Sequence, residues 1–245
     1  CVPAASGTSG LTAAVAAVME DARPGRATAL LPSFTFAATA QAATWASLRP
    51  RLLDVDGDAW HLDCDRLEDE LRARRDDTAL VLAVSSFGTP PPPRVRERWE
   101  QACRTAGVGL IVDSAAGFGA IAADGVPIGA QGRLGVGSFH APKPFAIGEG
   151  GAVFTRDRRL LERVERAIDF GFDRDRAVTM ARGFNGKMSE LHAATALAVL
   201  DELDSILAAR RRAAAAVRAR VGATVGWQAE SERSTWQFVP VLFAD

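Results

Sequence analysis

The chain has 245 residues, 48% of them hydrophobic, with 29 Lys+Arg against 30 Asp+Glu for a formal net charge of −1. That length and apolar content suit one large domain, or one domain with part of another, and the balanced charge gives no reason to expect nucleic acid or an anionic membrane as partner. Cys1, Cys64 and Cys103 are too few and too scattered for a disulfide framework or a zinc site, and no apolar run is long enough to span a bilayer, so a reducing cytoplasm and no metal are expected.

The elements follow in chain order. The S-G-T-S-G turn predicts a helix over residues 9–22, and a short apolar strand over 27–31 leads into P-S-F-T-F. A second helix is expected over 37–47, a strand over 51–55, a charged helix over 65–74 and a buried strand over 78–84. Gly88 and the prolines at 90–93 mark a loop. A helix over 94–106 precedes a strand over 109–112 that terminates at Asp113. Residues 133–139 and 152–155 read as strands, 157–168 as a helix, and a long helical pattern covers 188–220. Such repeated strand–helix units predict an α/β fold, a mainly parallel sheet flanked by helices.

Residues 1–210 are expected to form this large domain. Residues 211–245, with their W-Q and W-Q-F-V-P-V-L-F texture, are expected to begin a small α+β C-terminal domain. The sequence starts at Cys1 without methionine and stops just after V-P-V-L-F; both ends are expected to be cuts in a longer protein.

Ligands of such sheets gather at the carboxyl ends of strands, where Asp113 and the segment 138–143 fall. Within G-S-F-H-A-P-K-P-F-A-I-G-E-G-G, residues 137–151, Lys143 stands between Pro142 and Pro144 and ahead of apolar Phe145 and Ile147. A lysine in a strand-to-loop turn is ordinarily a surface residue. Stiff, apolar surroundings instead suit an amine that loses its proton and attacks an aldehyde. Ser138, five residues upstream, offers a hydroxyl for a phosphate. Asp113 follows an apolar strand directly; the ordinary reading is a cap or turn, the functional one a carboxylate paired with a protonated ring nitrogen. Thr8 and Ser9 open a helix whose N–H groups suit an anion, or simply cap it. In P-S-F-T-F, residues 32–36, one of the two phenylalanines offers a ring for stacking on a flat cofactor, or each is a core side chain.

Taken together and in order, G-T-S-G, P-S-F-T-F, L-L-D-V-D, the glycine after V-S-S-F, V-D-S-A-A-G-F-G-A, S-F-H-A-P-K, G-E-G-G-A-V and G-F-N-G-K-M-S-E-L-H-A-A resemble the DegT/StrS-type sugar aminotransferases. These are pyridoxal-phosphate (PLP) enzymes of fold type I. The resemblance implies the large domain of that fold, with a sheet of seven strands. It makes Lys143 the Schiff-base lysine and proton shuttle, Asp113 the partner of the pyridinium nitrogen, and Ser138 with Thr8 and Ser9 the phosphate cradle. Phe36 becomes the ring stacked on the pyridine, and Asn185 an asparagine reaching across a homodimer to the neighbour's phosphate. The activity implied is transfer of an amino group from an amino acid, glutamate by expectation, to a keto sugar linked to a nucleotide.

Three departures bear on it. Ala116 stands where the family commonly has a glutamine on the cofactor's 3′-oxygen side. Pro142 replaces a threonine or serine. The family's N-terminal segment and most of its C-terminal domain are absent from the sequence. Two competing readings are a different PLP-dependent reaction and a non-catalytic homologue with a regulatory or assembly role. Sugar dehydratases of the family have histidine in place of the lysine, and Lys143 argues against that branch.

Overall fold

A computed structural model describes residues 1–243 of the chain. Its centre is a seven-stranded sheet of β1 (Val2–Ala4), β2 (Thr28–Pro32), β3 (Arg49–Leu53), β4 (Thr78–Val84), β5 (Gly109–Asp113), β6 (Leu134–Ser138) and β7 (Gly151–Phe154), in the order β1-β7-β6-β5-β4-β2-β3. The pairings from β3 through β2, β4 and β5 to β6 are all parallel; β7 alone runs against the rest and pairs antiparallel with both β6 and β1. The fold is therefore α/β with a mostly parallel sheet.

The apolar strands sort their side chains by alternation, since successive residues of a strand point to opposite faces. Leu80, Leu82 and Ile111 join one core with α1 (Gly7–Met19), α2 (Ala37–Trp45) and α5 (Arg158–Ile168). Val81, Ala83, Leu110 and Val112 join the opposite core with α3 (Cys64–Ala73) and α4 (Pro93–Ala106). Both faces are covered, which is why the central strands are apolar throughout. At one edge, β3 is R-P-R-L-L with its first four residues exposed, and its charge and proline blunt a free edge against pairing with another chain.

The elements lie within a few residues of their sequence-predicted positions, with two differences. Strand β1 was not expected; at three residues with a central Pro3 it is too short to carry an alternation signal. The pattern over 188–220 is two helices, α6 (Glu190–Leu200) and α7 (Leu203–Val221), with Asp201 and Glu202 between them. Both segments are rich in alanine and leucine and no glycine or proline separates them, so the sequence reads as one helix.

Positions 210 and 211, where the domain boundary was expected, both lie inside α7. A separate two-stranded antiparallel pair, β8 (Gly226–Trp227) with β9 (Val241–Leu242), follows that helix. The last two residues of the expected C-terminal segment, 244–245, fall outside the described residues.

Candidate active site

Strands β2, β4 and β5 are neighbours and run the same way, so their carboxyl ends open on one crevice. The strand order changes direction there: β3 lies outward of β2 while β4 lies inward. That is where open α/β sheets bind ligands. A cavity of about 280 Å³ occupies it, and lining it are Phe34 to Phe36 after β2, Val84 to Phe87 at the end of β4, and Asp113 with Ala115 and Ala116 after β5. Lys143 enters from the loop after β6, and Gln237 and Phe238 close one wall from the C-terminal segment.

Asp113 is 4% exposed. Its Oδ2 accepts a 2.7 Å hydrogen bond from the Thr39 hydroxyl and its Oδ1 a 3.0 Å bond from the Ala115 N–H. Burial nevertheless raises its carboxyl above the ordinary value, against the two hydrogen bonds and the nearby Lys143 charge. Lys143 is half-buried and its ammonium is pushed down, by burial first, with the Asp113 carboxylate opposing. Each group thus prefers its neutral form through desolvation, while each favours the other's charge.

The loop carrying Lys143 is tightly held. Phe139 N–H donates to Gly150 O at 2.8 Å, Ala141 to Gly148 O at 2.9 Å and Ile147 to Phe139 O at 2.9 Å, while the Lys143 N–H itself donates to His140 O at 2.8 Å. Beneath it Phe145, 2% exposed, packs against Phe118 and Phe139 at ring-centroid distances of 4.8 and 4.9 Å. The P-K-P sequence fixes φ on either side, and the buried phenylalanine sets which way the loop faces. His140 turns outward, with Nε2 3.4 Å from Glu149 Oε1.

The remaining sequence-predicted residues fall into three groups. Phe36 and Ala116 line the cavity, and Phe36 is 79% exposed with its ring free to meet a flat ligand. Ser138 meets the start of α1 at Gly7, the residue before Thr8 and Ser9: a Cβ on Gly7 would stand 2.7 Å from Ser138 Cβ, so only glycine admits this approach. Thr8, Ser9 and Ser138 are not among the residues lining the cavity itself. Ser6 Oγ already accepts the Ser9 N–H, which leaves the N–H groups of Gly7 and Thr8, unpartnered within the helix, for an anion. Asn185 is exposed and lines none of this cavity; its backbone forms an isolated bridge with Asp169.

Sequence reasoning missed Thr39, Phe87 and Gln237. Thr39 lies three residues after Phe36 in α2, which also carries Gln41 and Thr44 among its alanines, so no local signal set it apart. Phe87 and Trp236 both have left-handed backbones, φ 55° and 56°, a conformation that costs a non-glycine residue roughly 1–3 kcal/mol. Ring contacts from Phe87 to Phe34, Trp60 and Phe238 make an aromatic wall. The C-terminal segment is fastened across this wall. Thr235 Oγ1 donates to Ala116 O at 2.5 Å, Ser234 Oγ to Phe87 O at 3.2 Å, and Arg210 to Trp236 O at 3.2 Å. No local pattern announces such long-range bonds.

The model of the DegT/DnrJ/EryC1/StrS aminotransferase family matches residues 1–244. Protein Rv3402c of Mycobacterium tuberculosis is 40% identical over 183 residues, which are 75% of this chain and 44% of that protein. The dTDP-4-amino-4,6-dideoxy-D-glucose transaminase of Shigella dysenteriae is 28% identical over 213 residues, 85% of this chain and 56% of that one. The crystal structure of DesI in the presence of its TDP-sugar product superimposes with a TM-score of 0.87 at 31% identity, covering 99% of this chain and 60% of DesI. The chain thus spans about half the length of the relatives it matches in sequence.

Proposed function

The chain belongs to the DegT/DnrJ/EryC1/StrS aminotransferase family, and from that premise we propose that the protein is a PLP-dependent aminotransferase moving an amino group from an amino acid, glutamate, to a keto sugar carried on a nucleotide. The observation that carries this reading is the pairing of Lys143 and Asp113 in one cavity at the strand ends.

The residues present fit PLP. A buried carboxylate faces an amine with no hydrogen-bond partner among the described residues, an exposed aromatic ring stands beside them, and a glycine-opened helix terminus abuts Ser138. Lys143 and Asp113 would hold the cofactor at its two ends, Phe36 would stack on its face, and Ser138, Thr8 and Ser9 would take its phosphate. When bound, PLP supplies an electron sink for the bond that breaks at the amino acid's Cα. Lys143 Nζ, favoured in its neutral form by burial, is the base that removes the proton at Cα and returns one at the acceptor. The Asp113 carboxylate would pair with the ring nitrogen and favour its positive charge. The aromatic wall of Phe34, Phe87 and Phe238 would give these transfers an apolar border on one side. The names of the Shigella transaminase and of DesI, solved with a TDP-sugar, support a nucleotide-linked sugar as acceptor.

A homodimer with a shared active site belongs to the same reading. Helix α6 has no buried residue, and its Leu191 and Leu197 are 82% and 70% exposed. A second copy covering this apolar face would bring its own Asn185 toward the phosphate site. Sedimentation in solution tests this. A cytoplasmic location also belongs to it: Cys1, Cys64 and Cys103 are all free thiols. No helix among the described residues is long and apolar enough to cross a membrane.

The test of the activity is spectroscopic and isotopic. PLP added to the protein should give a visible band, borohydride should fix the cofactor on Lys143, and labelled glutamate should exchange its amino group. Undiminished PLP binding and exchange in Lys143→Ala would refute the proposal.

A further inference from the structure

Most polar side chains that line the cavity are already engaged. Asp113 is held by Thr39 and Ala115, Thr35 bonds Thr39 at 2.7 Å, Ser85 meets Ser114 at 3.3 Å, and Ser86 donates to Trp60 O at 2.6 Å. Among the described residues, two lining side chains stand without a partner: Lys143 and Gln237. For Gln237 the omission is costly, because its Oε1 is sealed from solvent with no hydrogen bond, and a buried amide oxygen without a donor is destabilising. The segment before it is nonetheless fixed firmly by Thr235 on Ala116 O and by the left-handed turn at Trp236. The chain is bent and fastened so as to present a glutamine amide to an otherwise apolar wall.

We infer that Gln237 is a cofactor-binding residue, its side-chain amide reaching the ring-oxygen edge of PLP where Ala116 offers only a methyl group. The inference rests on the PLP reading above. A pyridine ring with its nitrogen at Asp113 and its phosphate toward Ser138 turns its hydroxyl-bearing edge to the other side. Ala115, Ala116 and Gln237 all line the cavity, and the Thr235 bond to Ala116 O brings the segment of Gln237 beside Ala116. The amide N–H donates to the ring oxygen, an atom that carries negative charge when Lys143 holds the cofactor.

The experiment compares Gln237→Met, nearly isosteric and apolar, with the wild type in two titrations that need no turnover. One measures PLP dissociation by fluorescence, the other the pH midpoint of the visible band. Losing one hydrogen bond to a charged oxygen should weaken PLP binding about tenfold. It should also raise the pH midpoint, because the donor stabilises the more negative oxygen of the deprotonated form. Moving the amide across the gap, in Ala116→Gln combined with Gln237→Met, should restore both values, which a packing role would not. Should Gln237→Met keep the wild-type affinity and midpoint while Lys143→Ala loses the band, Gln237 has no such role and the PLP reading stands. A wild type that shows no band at all overturns both.

Discussion

The two charged groups facing the cavity are held by opposite means. Asp113 ends a central strand, is 4% exposed, and has both carboxylate oxygens engaged by Thr39 and Ala115. Lys143 sits on a loop whose backbone is pinned by hydrogen bonds and by buried Phe145, while its side chain has no partner among the described residues. The carboxylate must keep one orientation, and its surroundings over-determine it. In the proposed reaction the amine exchanges partners and swings between atoms, and the loop is built for that, with its root fixed and its tip free. A residue that only orients can be recognised by its satisfied bonds, and one that reacts by the lack of them.

The largest test of that contrast is Lys143→Ala, which removes the free tip; amino-group exchange should fall by at least about 10⁴-fold, measured with labelled glutamate. Asp113→Asn keeps the shape and the Thr39 bond but loses the charge. Exchange should fall about 10²–10³-fold while the fold persists by circular dichroism. Phe145→Ala attacks the root instead. It should cost about 3–5 kcal/mol of stability in urea unfolding and loosen the loop, with protease cutting at 141–149 as the readout.

Thr39→Val, leaving one buried oxygen of Asp113 without its donor, should cost about 1–3 kcal/mol and shift the acid limb of the pH–rate profile upward. The smallest effect is a pH slope. Asp113's carboxyl is raised by burial, so above the ordinary carboxylate value the native state holds a proton that the unfolded state has released. Stability therefore falls as pH climbs through that window. Asp113→Asn should flatten this fall and raise Tm at pH 7, a gain in stability alongside a loss of activity.

Most of the sheet was legible in the sequence because its strands are buried on both faces: T-A-L-V-L-A-V and G-L-I-V-D admit little else. Lys143 and Asp113 were legible for a related reason, since polar residues directly after such runs sit at strand ends. Ala116 was legible only as a gap. What fills the wall beside it was not, because Gln237 lies 121 positions further along the chain (237 − 116). Its approach depends on single hydrogen bonds from Thr235 and Ser234 to backbone carbonyls. The break between α6 and α7 was hidden because alanine and leucine dominate both sides and neither glycine nor proline marks it.

The one reversed strand has a mechanical consequence. Because β7 comes back alongside β6, with Ser138 opposite Gly151, the lysine segment is a span clamped at both piers instead of a free cantilever. Its length then matters more than most of its lettering. One residue added or removed between 144 and 149 would leave the strands paired as before, yet carry the amine sideways off its target. Substitutions at the outward-facing positions of the same span would leave its aim unchanged.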